Sequence, residues 1–328
     1  MLRILPFKNF GDYSDTNLPS AIFAPRLRDA HAKIHAADPA CDHSFSIVTS
    51  NETLANCLLY VDKQKEIPCI WGLGGPATFW LTDRCTAELR HDVFKYATSQ
   101  FKNILAEFSE MAISYADYFN DGILTSPAAY LMQQYNCSAS VSFSNVIDLT
   151  ISQEILRHGL RDSYKSLINR GLKKYTLVCI DGTDVQPCHI AALHQCHVTA
   201  SGRDVYSSLF WDIWLNECQA NAAYLVLALK DGTAKGAILC TQVQGSVYYA
   251  IGAFDRSLEK TGLSHACLWE AIRHAKHRGV NEFEVGMTYF DCLRSDASAK
   301  EKNIGFFKRG FGGLNRPVLC LNATAKIL

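Results

Sequence analysis

Residues able to do proton or charge chemistry crowd the second half of the chain. In Asn281-Glu-Phe-Glu-Val285 the polar and apolar residues alternate with period two, which puts Glu282 and Glu284 on one face of a strand. Such carboxylates either take a proton from a reacting group or form a solvated, ion-paired strand face. His265 falls in the first turn of an expected helix. The helix dipole lowers its pKa there and favours the neutral, proton-accepting form; a solvated histidine near the cap is the alternative. Tyr248 and Tyr249 are strand neighbours, so they point to opposite faces, one toward a core and the other toward a cleft. Asp255, after Phe254, either binds substrate or ends its strand, and Asp291 is a further candidate base. Arg203 follows Ser201-Gly202 between two helices. Its planar fork suits a carboxylate or phosphate, and a helix-capping or interdomain ion pair is its other use.

Cys188, His189, His194, Cys196 and His197 lie in one segment and invite a zinc reading. On a helix, however, His189 and His194 are five positions apart and share a face poorly. No CxxC or carboxylate completes a tetrahedral set, so no metal is expected. His197, one turn before Ala200-Ser201, stands apart from that set near the end of its helix.

These residues need elements to hold them. A boundary near residue 150 separates 1–149 from 150–328. Val146-Ile-Asp-Leu-Thr150 ends a strand, and Thr150-Ile-Ser-Gln153 fits a capping box. A helix follows with Leu156, Leu160, Tyr164, Leu167 and Ile168 on one side and Arg157, Arg161, Lys165, Arg170 and Lys173 on the other. Then come a strand at 175–181, helices at 187–200 (opened by Pro187) and 207–219, and strands at 223–229, 237–243 and 247–253. The turn signals Asp231-Gly232 and Gln244-Gly245 make the last three an antiparallel meander. A long helix capped by Ser264 buries Leu268, Ala271, Ile272 and Ala275 and closes at Gly279. A strand from Asn281, a helix and a last strand complete an α/β, mixed-sheet architecture of α+β character, with helices on both faces. In the first half the pattern supports a strand at 44–49, a long helix within 91–111, a short helix at 127–134 with Ser126 as its cap, and a strand at 139–149. The closing strand-helix-strand order appears in both halves, as two copies of one fold, the first degenerate.

Composition bounds the function. The chain has 328 residues, 48% hydrophobic and 20% charged, with 32 basic and 32 acidic residues. That is a globular protein, and zero net charge excludes a strongly basic nucleic-acid-binding body. No apolar run reaches the length of a membrane span, and Met1-Leu-Arg-Ile-Leu-Pro-Phe-Lys is too short and too charged for a signal peptide. Thirteen cysteines, an odd number without a CxxC pair, are expected as buried thiols in a reducing cytoplasm.

The strand and helix order, with Leu160–Gly171, Tyr248–Arg256 leading into Gly262–Ile272, and Lys300–Gly312, resembles the FemAB-like branch of the GNAT acyltransferase superfamily, which carries two GNAT-like domains in tandem. The resemblance implies N-acyl or N-aminoacyl transfer to a primary amine on an anionic precursor, a peptidoglycan stem peptide or an amino sugar. Residues 150–328 would supply most of the cleft, in a role in cell-envelope biogenesis. Phe307-Lys308 matches the place of a functional Phe-Lys pair in that branch. The lysine would stabilise the oxyanion formed when an amine attacks an ester or thioester, and Phe307 would support substrate. A residue among His265, Tyr249 and Glu284 would relay the proton, and Arg203, His197 and Asp255 would bind acceptor.

Ordinary CoA-dependent relatives open the long helix with R/Q-x-x-G-x-G/A. Here the place reads Glu259-Lys-Thr-Gly262-Leu-Ser264, acidic at its first position, with Gly262 and Ser264 as the remaining candidates to hold a donor's phosphates and Lys260 and Arg256 in partial compensation. No cofactor is required, and the donor is acyl-CoA or, as this loop favours, aminoacyl-tRNA. The basic face of the 157–174 helix is either solvated or makes a limited tRNA contact. An acyl-CoA enzyme of surface-polysaccharide synthesis and a non-catalytic precursor-binding or partner-binding protein are the rival readings.

Overall fold

The computed structural model describes residues 2–6, 25–35, 38–50, 52–62, 67–72, 75–108, 110–119, 124–135, 137–243, 245–290 and 297–326. In the first half these are β1 (Arg3–Pro6), α1 (Pro25–Ile34), β2 (Phe45–Val48), β3 (Thr53–Leu58), β4 (Tyr60–Asp62), β5 (Cys69–Trp71), β6 (Ala77–Leu81), α2 (Ala87–Leu105), β7 (Glu110–Asp117), α3 (Ser126–Gln134) and β8 (Ser138–Asp148). The second half holds α4 (Gln153–His158), α5 (Asp162–Lys174), β9 (Thr176–Asp181), α6 (Pro187–Ser201), α7 (Ser208–Gln219), β10 (Ala223–Lys230), β11 (Thr233–Val243), β12 (Ser246–Phe254), α8 (Leu263–His277), β13 (Glu282–Thr288), α9 (Ala299–Arg309) and β14 (Leu314–Lys326).

The strands form one mixed sheet in the order β1-β2-β3-β6-β7-β14-β8-β13-β12-β11-β10-β9, with β4 and β5 as a side hairpin joined to β7. The two halves repeat a pattern. In each, a strand crosses through a long helix to a parallel neighbour: β6 through α2 to β7, and β12 through α8 to β13. Each half then ends in a helix and a strand, and the two closing strands are exchanged. β8 lies antiparallel against β13, and β14 lies antiparallel against β7. The two also pair with each other, Leu314–Asn322 along Ser138–Val146, so the halves share the middle of the sheet.

Burial explains the layers. Leu268, Ala271, Ile272 and Ala275 of α8 are buried as their spacing requires, packed on Tyr224, Val226, Ile238 and Val247. On the opposite face, Leu193 of α6 and Trp211 and Trp214 of α7 cover Leu225, Leu227 and Leu239. β10 is therefore apolar along nearly its whole length, since both its faces are dry. Each such aliphatic side chain contributes about 1.5–3 kcal/mol by leaving water. A separate core under α2 unites Phe45, Phe79, Phe101 and Tyr115 with Leu319 and Leu321 of the C-terminal strand.

Some local expectations need correction. Ser152, not Thr150, caps α4, accepting from the Ile155 amide at 3.3 Å, while the Thr150 hydroxyl bonds Asp148. α8 opens at Gly262, whose φ of 82° only glycine adopts without strain, so Ser264 lies already within the first turn. Thr125 precedes α3 where Ser126 was expected to, and the long helix of the first half ends at Leu105 because Glu110–Asp117 is a strand. Gln244, of the second turn signal, lies outside the described residues.

Candidate active site

The gap in the sheet is made by two bulges. β12 and β13 pair in parallel only at Ser246↔Glu282, Val247↔Phe283 and Tyr248↔Glu284. Just beyond, the β11–β12 register passes from Cys240↔Tyr249 to Leu239↔Ile251, and the β13–β8 register passes from Glu284↔Val146 to Gly286↔Asn145. An extra residue in each strand bends and twists it locally. With both strands bulged at the same level, their pairing ends and a cleft opens at Tyr248, Glu284 and Gly286.

Lys308, from the last turn of α9, fills one wall of that cleft. A Cβ on Gly286 would lie 3.0 Å from the lysine Nζ and 3.3 Å from the Tyr248 hydroxyl, so ammonium and phenol converge on one point. Gly286 also has φ 91°. Burial lowers the Lys308 pKa to about 8, against the pull of the Glu284 carboxylate. Glu284 is only 5% exposed and accepts a hydrogen bond from the Ser144 hydroxyl on β8. Burial raises the Tyr248 phenol, and Glu284 raises it further. Tyr118, directly after β7, is raised by burial and next by Glu284 and Tyr248, so the first half sends a phenol within electrostatic reach of the same carboxylate. Tyr248 and Tyr118 are each half-buried.

The structure thus brings together Lys308 and Glu284 of the residues expected from sequence. Tyr249 faces the α8 side and packs against that core, so the phenol at the gap is Tyr248. His265 is buried at 8% exposure, with its ring 4.3 Å from that of Tyr164 and 5.2 Å from that of Phe307. Its pKa falls to about 4 through burial first and the Arg161 cation second, which leaves it a neutral member of an aromatic box. Phe307 belongs to that box, with Phe311 at 5.3 Å. Glu282 is the ion-paired strand face, held by Arg316 at 3.0 Å to each carboxylate oxygen.

Other candidates lie in other elements. Arg203 is exposed in the loop between α6 and α7, its backbone tied to the Ser201 hydroxyl. The His197 ring on α6 lies tilted 5.0 Å from that of Tyr206, its pKa lowered by burial and then by His194, which itself pairs with Asp204 at 3.0 Å. No group of three or more His, Cys, Asp or Glu side chains among the described residues could hold a metal ion. Asp255 caps the turn Arg256–Thr261, accepting from the Ser257 amide and hydroxyl. Asp291 lies outside the described residues.

Gly262 has a packing reason to be glycine: a Cβ there would lie 2.0 Å from the Leu167 carbonyl oxygen of α5. Gly171 answers it across the crossing, where a Cβ would lie 2.5 Å from the Gly262 oxygen. The Cα side of Gly262 thus faces a neighbouring helix, and the half-buried Ser264 hydroxyl lies 3.4 Å from the His265 ring nitrogen Nδ1. Along the basic face running from α4 into α5, Arg157 bonds Asn169, Arg161 bonds the Phe306 carbonyl, Lys165 bonds Asp162 and Arg170 bonds the Lys260 carbonyl, while Lys173 is exposed.

Residues 156–298 match the family model of the Acetyltransferase (GNAT) domain. Over those residues, less than half of its length, the chain is similar to a GNAT acetyltransferase domain. Among solved structures, FemX is similar over 94% of this chain and 93% of its own, with a TM-score of 0.68 and 9% sequence identity. The C-terminal domain of a putative lysylphosphatidylglycerol synthetase from Agrobacterium fabrum follows the fold over 93% and 90% of the two chains, with a TM-score of 0.57 and 11% identity. L-PGS from Bacillus licheniformis does so over 84% and 82%, with a TM-score of 0.55 and 11% identity. No curated protein matches by sequence. The fold is therefore like that of FemX and of these synthetase domains, with its strand-helix-strand unit present twice in tandem. No helix among the described residues is long and apolar enough to cross a membrane.

Proposed function

We propose that this GNAT protein transfers an acyl or aminoacyl group from an activated carbonyl donor to a primary amine of an anionic precursor, a stem peptide or an amino sugar, in the cytoplasm. The observation that carries the reading is the Lys308 ammonium held in the β12–β13 gap beside Tyr248 and Glu284. The amine attacks the carbonyl carbon, a C–N bond forms, and the carbonyl oxygen takes the negative charge. Lys308 stabilises that oxyanion without reorganising at the moment of reaction. The tetrahedral intermediate collapses by breaking the bond to the leaving oxygen or sulfur, and the proton lost by nitrogen passes to the leaving group. Tyr248 and Glu284 are the relay groups that touch this space. The exposed Arg203 guanidinium is available for the acceptor's anion.

The packed Gly262–Leu167 contact and the acidic Glu259 favour an ester donor such as aminoacyl-tRNA over acyl-CoA. The described cysteines are all free thiols, which suits a reducing compartment. The two-unit fold shared with FemX supports the stem-peptide acceptor, and division into 1–149 and 150–328 assigns most of the cleft to the second unit.

The test is a mass-spectrometric transfer assay with aminoacyl-tRNA or acyl-CoA against nucleotide-linked amino sugars and stem peptides. An acyl mass gain on an amine, lost in Lys308→Ala, is expected. Turnover that survives Lys308→Ala would remove the proposed chemistry.

A further inference from the structure

Lys308 projects from the end of a helix whose last carbonyl groups have no partners within the helix. In α9 the Phe307, Lys308 and Arg309 carbonyls accept from the amides of Gly310, Phe311 and Gly312, and Arg161 and Tyr164 at the start of α5 add bonds from outside. The Tyr164 hydroxyl donates to the Phe307 carbonyl at 3.1 Å. Arg161 donates to the Phe306 carbonyl at 3.2 Å and to the Tyr164 oxygen at 3.3 Å, with its guanidinium 3.7 Å over the centre of the Phe306 ring. The Arg161 amide takes the Gly310 carbonyl at 2.9 Å. The turn is seated as well as bonded: a Cβ on Gly310 would lie 2.1 Å from the Tyr164 ring, so glycine alone lets the chain wrap over it. Residues 306, 307 and 310 on both sides of Lys308 are thereby fixed to one side chain and its neighbour.

We propose that Tyr164 is the positioning residue for Lys308, its phenol, polarised by Arg161, clamping the α9 terminus so that the ammonium projects into the β12–β13 gap. The proposal rests on the transfer reading above for its kinetic consequence, although the clamp can be measured without it. Tyr164 touches the backbone of α9 and the aromatic box, so it acts through Lys308 and not on substrate. A donor that holds a carbonyl also polarises along its chain: Arg161 makes the phenol a better donor, and the cation complements the negative end of the α9 dipole.

The experiment uses Tyr164→Phe in the full chain, which keeps the ring and removes only the hydroxyl. The Lys308 amine is followed by NMR titration of 13C-dimethylated protein, with Lys308→Arg to assign the signal, and turnover is followed in the transfer assay. Expected are a Lys308 titration moved upward from about 8, a kcat lowered about fivefold, the worth of one net hydrogen bond, and an unchanged KM. An unchanged lysine titration and an unchanged kcat would overturn the clamp, as would a raised KM with kcat intact, which would make Tyr164 a substrate contact. Should Tyr164→Phe not fold, Arg161→Gln reads the same relay, with the same outcomes deciding. If Lys308→Ala keeps full turnover, the transfer reading fails, while the titration still decides the clamp.

Discussion

Replacing Lys308 by methionine separates the cost of the site from its use. The lysine pKa falls from 10.5 to about 8 on folding, chiefly through burial. At about 1.36 kcal/mol per unit, the charged form is disfavoured in the native state by about 3 kcal/mol. Because the folded pKa is the lower one, the penalty is fully present below pH 8 and is relieved as pH rises toward the unfolded value, where the unfolded chain still binds the proton and the native one has lost it. Lys308→Met removes that penalty and leaves Glu284 with its Ser144 partner but without the cation, which costs back about 1 kcal/mol. The variant should be at least as stable as the wild type at pH 7 and inactive in transfer. Urea unfolding at several pH values checks this through the difference between the two proteins, in which the titration of buried thiols and phenols cancels. The advantage of the variant should shrink by about 2–3 kcal/mol between pH 7 and pH 10. A difference constant with pH, or a variant markedly less stable at pH 7, would refute the burial of a charged lysine in the cleft.

Gly286→Ala should lower turnover more than tenfold and destabilise by about 1–3 kcal/mol, since its Cβ meets the Lys308 amine at 3.0 Å and φ is 91°; parallel turnover and urea measurements show whether both fall. If Lys308 acts as an ammonium, kcat should decline above pH 8; a profile that rises through pH 8 would assign it to base catalysis. His265→Leu should keep turnover within about threefold, because a histidine with pKa about 4 in an aromatic box is neutral packing at pH 7; a loss of a hundredfold would make it the relay. Calorimetry with CoA should show no micromolar binding, given the α5 backbone against Gly262.

Much of the second half was legible in its sequence because its elements obey local rules. Pro187 at a helix start, Asp231-Gly232 in a turn, and the Leu268–Ala275 stripe each have one strong physical reading, and each folds accordingly. The relation of Lys308 to Glu284 followed only from the resemblance, since 24 positions separate them in the chain. What sequence could not show was set by register. Tyr248, not Tyr249, reaches the gap because bulges at the levels of Ala250 and Val285 part the strands. Tyr118 and Ser144 come from the first half and have no local motif. Of the strands before residue 110 only β2 was expected; the others are three to six residues long, too short for periodicity to identify. His265 shows a different failure. The direction of its pKa shift follows from the helix dipole as well as from burial, but the packing of Tyr164, Phe307 and Phe311 decides that burial is the cause.

The exchanged strands bear on how the chain can be divided. Expressed alone, residues 150–328 would keep the GNAT core from β9 to β13 but lose β8 from the free edge of β13, from Glu282 through Thr288. β14 would lose β8 along Leu314–Asn322 and β7 along Leu319–Lys326, and Leu319 and Leu321 would lose the core under α2. Glu284 would lose Ser144 as well, leaving a carboxylate that was buried in the whole chain without its hydroxyl donor. A long unpaired edge and exposed leucines favour association over a soluble monomer. The fragment should therefore aggregate or sediment as an oligomer, and adding residues 138–149 as a separate peptide should restore pairing at β13 and along Leu314–Asn322 of β14, but not the β7 pairing of Leu319–Lys326. Sedimentation and hydrogen exchange at the β13 amides check both. A monodisperse fragment with protected β13 amides would mean that the exchanged strands are dispensable and that the site belongs to the second half alone.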